Sequence, residues 1–450
     1  MRVVDQLWVS LAEAGRELLR LGRGNRRRDV LDLCRDLLST RGEASGTALA
    51  REVVEAWLAM DEDARLRFFL QLLHEFGVDQ EAVERALESY RRHPDARTLA
   101  RLRTAAEPRR QELFRRMNMA PDGTRHLVAM RAELLRHLAA HPELAEVDED
   151  LRQLLSGWFN PGFLTLQRID WHSPAALLEK IKTYEKVHRI PDLESLKRRL
   201  AADRRCYAYF HPALPDEPLI FVEVALVAGM AEHIAPLIDP EAPVFDPTRA
   251  DTAIFYSINN CQEGLRGVTL GNFLIKLVVE DLGRELPQLR TFATLSPVPG
   301  FRYWLEHAEQ GEDPVIGEAE RAALAVVREP DWWRDPARAE EARGPLMALC
   351  AHYLVRVKDE RGRPRDPVAR FHLRNGARLE RVDWLADTSP KGLRESFGIM
   401  VNYLYDPARI VRNHERYVAS GEVTHSPAVR TLLRGLETGA RLPARAGGAS

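Results

Sequence analysis

The sequence predicts a two-domain α+β protein, an all-helical N-terminal bundle followed by an α/β part. Three observations carry this prediction. Apolar residues recur at three- and four-residue spacing from Val4 to about Asn160, the stripe of amphipathic helices. After Asn160-Pro161-Gly162 the pattern changes to runs rich in aromatic and β-branched residues, which read as strands. A helical segment from about Leu270 to Leu282 then separates two such runs, giving a strand–loop–helix–strand unit.

In order, the helical stripe is visible at Leu7, Leu11, Ala14 and Leu18 and again at Val53, Val54, Trp57 and Leu58. Asp61 and Asp63 precede Leu66, Phe69, Leu70 and Leu73, and Gly77 follows, a helix with an acidic start and a glycine stop. Further helices are expected over 79–92, 96–118, 123–140 and 146–158, parted by His93-Pro94 and His141-Pro142. About seven helices with short connections make a bundle. The cluster Arg23, Arg26, Arg27 and Arg28 beside Gly22 and Gly24 suits either phosphate binding or the capping of a helix C-terminus.

Helices over 173–186 and 192–202 lead into strands at Cys206–Phe210, Leu219–Val227, Thr252–Ile258 and Arg290–Leu295. His211-Pro212, Pro215 and Asp216 supply a turn, so the first two strands are expected to form a hairpin. Helices near 317–328 and 338–355, a turn-rich segment 358–367 and a strand Ala369–Leu373 follow. Asn375-Gly376 marks a tight turn before Arg378–Trp384. The expected domains are 1–165, helical, and 166–438, α/β, with a frayed tail over 439–450.

Composition narrows the function classes. The 450 residues carry 65 Lys+Arg against 67 Asp+Glu, a net charge of -2, so bulk attraction to nucleic acid or anionic lipid is not expected. With 45% hydrophobic and 29% charged residues the chain has enough apolar material for a large core, which excludes dominant disorder. Glu223 interrupts the longest apolar run, Leu219–Ala231, and a membrane span needs roughly 18 apolar residues. Asp5, Glu13, Arg16 and Glu17 are wrong for a secretory signal, so a cytoplasmic location is expected. Cys34, Cys206, Cys261 and Cys350 lack CxxC spacing, which argues against a zinc site and a disulfide framework and for reduced thiols. Arginine outnumbers lysine 58 to 7, and the first lysine is Lys180.

Four segments could carry chemistry. In Tyr256–Lys276 a strand feeds a loop with Gly264, Gly267 and Gly271 that opens a helix. Glycines with a helix N-terminus suit a pyrophosphate, and Arg266 adds charged donors; a glycine turn needed only for packing looks the same. The loop is neither a Walker A nor a GxGxxG motif. The second segment, Leu295–Phe301, places Ser296 before two prolines and a glycine, a rigid exposed turn that fixes its hydroxyl. In the third, Phe371–Gly376, His372 alternates with Phe371 and Leu373 on a strand; it is either structural or a proton-transfer group. The fourth, Gly398–Pro407, puts Asn402, Tyr403 and Tyr405 before a turn, where packing accounts for tyrosines equally well.

In this order the segments resemble the malonyl-CoA decarboxylase family: SINNCQEGLRGVTLGNFLIK, LSPVPGF, FHLRNGA and NYLYDP are similar to its motifs, as are YAYFHPALP and VDWLAD. The likeness covers about 167–410 strongly. It implies a helical domain used in oligomer contacts, with dimers or tetramers, and a catalytic domain of the GNAT acetyltransferase type. It further implies malonyl-CoA as substrate, with Arg266, Gly267, Val268, Thr269, Leu270, Gly271 and Asn272 cradling the coenzyme A pyrophosphate. By the same resemblance Ser296, His372 and Tyr405 are the catalytic residues. The family's glutamate partner of the histidine falls at Thr269 here, with Glu263 as a substitute.

On that reading Ser296 orients the malonyl carboxylate, backbone N–H groups stabilise the enolate and His372 supplies the proton. No metal or organic cofactor is expected, because the thioester delocalises the electrons. The sequence ends Gly-Ala-Ser rather than in a peroxisomal signal, which fits a bacterial cytosolic enzyme. An acyl-CoA-dependent N-acyltransferase of the same fold, with Glu263 or His211 as base, is the alternative enzyme; a helical module that only senses acyl-CoA is the non-enzymatic one. All seven lysines fall in the part assigned to coenzyme A, and Lys276 follows the loop.

Overall fold

The computed structural model describes residues 29–40, 42–268, 274–311 and 313–439. The Arg23–Arg28 cluster and the tail beyond Gly439 lie outside them. The chain forms two units: one takes 1–165 with 210–219 and 261–270, the other 166–209, 220–260 and 271–450.

The first unit is helical: α1 (Val30–Ser39), α2 (Glu43–Leu58), α3 (Glu62–Glu75), α4 (Gln80–Arg92), α5 (Ala96–Ala105), α6 (Arg109–Met117), α7 (Gly123–His137) and α8 (Ala145–Trp158). Aspartates start three of them: Asp61, Asp79 and Asp95 accept the amides of Ala64, Ala82 and Thr98, which satisfies otherwise orphaned N–H groups. The single helix expected over 96–118 is two, because Pro108, which has no N–H to donate, stands just before α6. The apolar stripes meet in a core that includes Leu37, Val53, Trp57, Phe69, Phe114, Met130 and Leu151.

The second unit is built on a sheet with strands β1 (Thr165–Ile169), β2 (Arg204–Phe210), β3 (Ile220–Val227), β4 (Thr252–Asn260), β5 (Thr291–Thr294), β6 (Ser296–Pro297), β7 (Arg378–Asp383) and β8 (Met400–Leu404). Their order is β1-β2-β3-β4-β5-β8-β6, with β7 also paired to β8. The expected hairpin is present, β2 and β3 being antiparallel from Arg204↔Ala225 to Tyr209↔Ile220. β4 and β5 run parallel, from Thr252↔Thr291 to Phe255↔Thr294. Beyond that point β5 ends while β4 continues to Asn260, and β6 pairs with β8, with Ser296 opposite Val401. The helices that matter for the site are α12 (Leu274–Glu285), α13 (Phe301–Gln310), α15 (Pro336–Val355) and α16 (Pro367–Arg374), with α9 (Ala175–Tyr184), α10 (Leu193–Arg199), α11 (Ala235–Ile238) and α14 (Glu318–Val327) between the strands.

Two local expectations are corrected. The segment expected as a strand over Ala369–Leu373 is helix α16: the Asp366 carboxylate accepts the Ala369 amide at 2.8 Å, and Pro367 occupies the first turn, where its missing N–H is not needed. The three-residue alternation around His372 was too short to tell a strand from one helical face. Ser296, expected in an exposed turn, is a buried strand residue, because β8 pairs with it.

Candidate active site

The sheet unit brings Ser296, His372 and Tyr405 into one hydrogen-bonded line. Ser296 comes from β6, just past β5; His372 from the last turn of α16; Tyr405 immediately follows β8 and is anchored by its amide, which donates to the Phe292 carbonyl at 2.8 Å. Ser296 Oγ lies 3.1 Å from His372 Nε2, and His372 Nδ1 lies 2.8 Å from the Tyr405 hydroxyl. On its other side Ser296 Oγ donates to Thr294 Oγ1 at 2.8 Å. All three side chains are at most 5% exposed.

The hydrogens can be assigned in one consistent direction: Tyr405 O–H to Nδ1, Nε2–H to Ser296 Oγ, and Ser296 O–H to Thr294. Burial pushes His372 down to about 3, so its imidazole is neutral near pH 7 and one nitrogen donates while the other accepts. Burial also raises the Tyr405 hydroxyl well above its ordinary range, which keeps it a hydrogen-bond donor rather than a phenolate.

Neighbouring strand residues hold this line. Thr294 Oγ1 also accepts the Tyr403 amide at 3.1 Å, and Asn402 Nδ2 donates to the Thr294 carbonyl at 2.7 Å. The Tyr403 ring stacks on His372, with centroids 4.6 Å apart and planes at 22°, and so fixes the plane in which both ring nitrogens point. Thr294 and Asp366 were missed by sequence reasoning. Strand alternation could have found Thr294, two residues before Ser296 and on the same side; the Asp-Pro pair preceding α16 was the signal for Asp366.

The histidine partner is a tyrosine hydroxyl, not a carboxylate. Glu263 is exposed in a short 3-10 turn, Glu263–Leu265, of the helical unit. Of the loop residues, Arg266 is exposed and Gly267 takes a left-handed φ of +80°. Val268 is buried, with its amide 2.9 Å from the Leu265 carbonyl. Thr269, Leu270, Gly271 and Asn272 lie outside the described residues. Within the helical unit the start of this loop is anchored by Arg131 of α7, whose buried guanidinium donates to the carbonyls of Gly264 at 2.7 Å and Arg266 at 2.8 Å and pairs with Asp148 at 2.8 Å. Gly264 is required there, since a Cβ would meet the Val128 carbonyl oxygen at 1.9 Å.

His211, the other base considered, is buried, accepts the Ala213 amide and packs on Phe159 at 4.7 Å. Lys276 is half-exposed and pairs with Glu280 at 3.6 Å. All four cysteines are buried, and burial pushes Cys34 up to about 12, far from a reactive thiolate.

A buried serine–histidine–tyrosine line of this kind, carried on the sheet of a two-domain α+β protein, is an arrangement able to do acid–base chemistry with a neutral imidazole. Family comparison gives the particular case. Residues 162–442 match the malonyl-CoA decarboxylase C-terminal domain and residues 76–159 the malonyl-CoA decarboxylase N-terminal domain. The mitochondrial malonyl-CoA decarboxylase of Mus musculus is 36% identical over 405 residues, 83% of this chain and 82% of that protein; that of Anser anser anser is 38% identical over 367 residues, 76% and 73%. The crystal structure of malonyl-CoA decarboxylase from Rhodopseudomonas palustris superposes with a TM-score of 0.87 at 50% identity, covering 89% of this chain and 98% of that one. The Agrobacterium vitis structure gives 0.86 at 48%, covering 90% and 99%. The chain belongs to the malonyl-CoA decarboxylase family, and is therefore a carboxy-lyase.

Proposed function

We propose that this chain converts malonyl-CoA to acetyl-CoA and CO2 through the Tyr405–His372–Ser296 line. The observation that carries the assignment of residues is the unbroken run of hydrogen bonds from Tyr405 through both nitrogens of His372 to Ser296. The Ser296 O–H turns from Thr294 to donate to the malonyl carboxylate and holds it out of the thioester plane. The bond between the α-carbon and the carboxylate carbon breaks, CO2 leaves, and the electron pair enters the thioester as an enolate. Backbone N–H groups stabilise the charge on the thioester oxygen. The α-carbon takes the proton from His372 Nε2 as the Tyr405 proton shifts to Nδ1; after the product leaves, solvent returns a proton to Nε2 and the Nδ1 proton goes back to Tyr405, so the line is restored. One proton is consumed for each CO2 released. The thioester itself accepts the electron pair, so the proposal includes no metal or organic cofactor.

The coenzyme A pyrophosphate is assigned to Arg266, Gly267, Val268, Thr269, Leu270, Gly271 and Asn272. The exposed guanidinium of Arg266 and the left-handed backbone at Gly267 support this for the described part of the loop. Self-association as a dimer or tetramer through the helical unit, and a cytoplasmic location, are further parts of the proposal. Helix α4 has no fully buried residue. Among the described residues no helix is long and apolar enough to cross a membrane.

The test is incubation with malonyl-CoA as the only substrate. Acetyl-CoA and CO2 in equal amounts are expected; turnover only after addition of an amine, with acylated amine as product, would favour the N-acyltransferase.

A further inference from the structure

We infer that Asp366 is a positioning residue for this reaction: its buried carboxylate holds the helix that carries His372 and the turn that follows Ser296 in one register. The inference rests on Ser296 and His372 being the reacting pair. Asp366 is 0% exposed. Its Oδ1 caps α16 through the Ala369 amide at 2.8 Å, and His372 sits six residues along from it. Its Oδ2 has no hydrogen-bond partner among the described residues and faces the turn at Gly300, four residues after Ser296, where a Cβ would come within 3.9 Å of it.

A Cβ at Gly300 would also meet the Tyr353 hydroxyl at 2.4 Å, so an alanine there pushes the turn away. The glycine therefore lets the turn approach α15 and the carboxylate together. Burial raises Asp366 to about 6, and the amides of Ala369, Val368 and Gly300 pull the other way, so both segments bear on the same group. Tyr403, stacked on His372, has a buried hydroxyl with no hydrogen-bond partner among the described residues, held well above its ordinary range by burial and then by the negative charge of Asp366. A single carboxylate thus borders the His372 helix and the Ser296 turn. The 3.1 Å contact between Ser296 Oγ and His372 Nε2 depends on how those two meet.

The experiment compares Asp366→Asn, Gly300→Ala and their double variant with the full-length wild type, with Ser296→Ala as a control. Asparagine retains an oxygen for the Ala369 amide, so the cap survives; alanine at 300 leaves the cap untouched and displaces only the turn. Each single change is expected to lower kcat about 10- to 100-fold, the scale of a sub-ångström to 1 Å misplacement, with KM for malonyl-CoA within about twofold and the circular dichroism unchanged. Because both act on one register, the double variant should be about as slow as the slower single variant. Wild-type kcat in Asp366→Asn, a loss that tracks only the folded fraction, or multiplied losses in the double variant would overturn the inference. Wild-type turnover in Ser296→Ala would instead overturn the reading of the reacting pair on which it rests.

Discussion

At the scale of the residue, the proposed chemistry turns on an imidazole kept neutral by burial. His372 titrates at about 3 in the folded protein, so it cannot act as a cationic acid near pH 7. A thioester enolate is basic enough to take a proton from a neutral N–H, and the Tyr405 hydroxyl is placed to supply Nδ1 as Nε2 gives its proton up. The same burial affects stability. His372 and His188, also held at about 3 chiefly by burial, bind protons in the unfolded chain near 6.5 but not in the folded one. Below that pH the unfolded state holds more protons, so stability is lost as pH falls from about 6.5 towards 3. His188→Gln removes one of these groups without touching the relay. Its free energy of unfolding, measured by denaturant titration at several pH values, should fall less steeply with acid than that of the wild type; equal slopes would contradict the burial of a neutral His188. Ser296 and Tyr405 were legible in the sequence because their motifs resemble a family. Thr294 was not, since a threonine in a strand is ordinary until its hydroxyl is seen to accept from two donors.

Among the elements, α16 and the loop after β4 show what pattern reading could and could not reach. Helix α16 has only eight residues, and over so short a run its apolar side chains alternate as a strand would; the Asp366-Pro367 start was the stronger signal, because it states how the first turn is capped. The loop after β4 was recognised by its glycines, yet the reason for Gly264 is a packing contact with α7, which no local pattern records. Arg131 of α7 makes the corresponding prediction. Its guanidinium pairs with Asp148 and satisfies two loop carbonyls while only 2% of its side chain is exposed. Arg131→Met should therefore lose about 3–5 kcal/mol of stability, as expected when one partner of a buried pair is removed. Denaturant unfolding checks this, and a change below about 1 kcal/mol would mean that the loop start is held by something else.

For the whole molecule, the near-neutral charge conceals strongly charged interiors. In the sheet unit Arg199 pairs with Glu223 at 3.1 Å, both almost fully buried, and lies over the Tyr256 ring at 5.3 Å; burial lifts Glu223 to about 8. That carboxyl opposes the buried histidines, because it favours the folded state at low pH and loses that contribution as pH rises from its ordinary range through about 8. The change from helical to mixed architecture was readable from the shift in periodicity near Asn160. That 210–219 and 261–270 fall in the helical unit was not, because hydrophobic periodicity reports which face of an element is buried and not which core buries it. The central claim is that Ser296 and His372 act as one unit on the malonyl group. Turnover of malonyl-CoA by Ser296→Ala, His372→Ala and the double variant tests it most directly. Each single variant should lose at least about 100-fold in kcat and the double variant little more than the worse single one; losses that multiply, or a single variant with wild-type turnover, would contradict it.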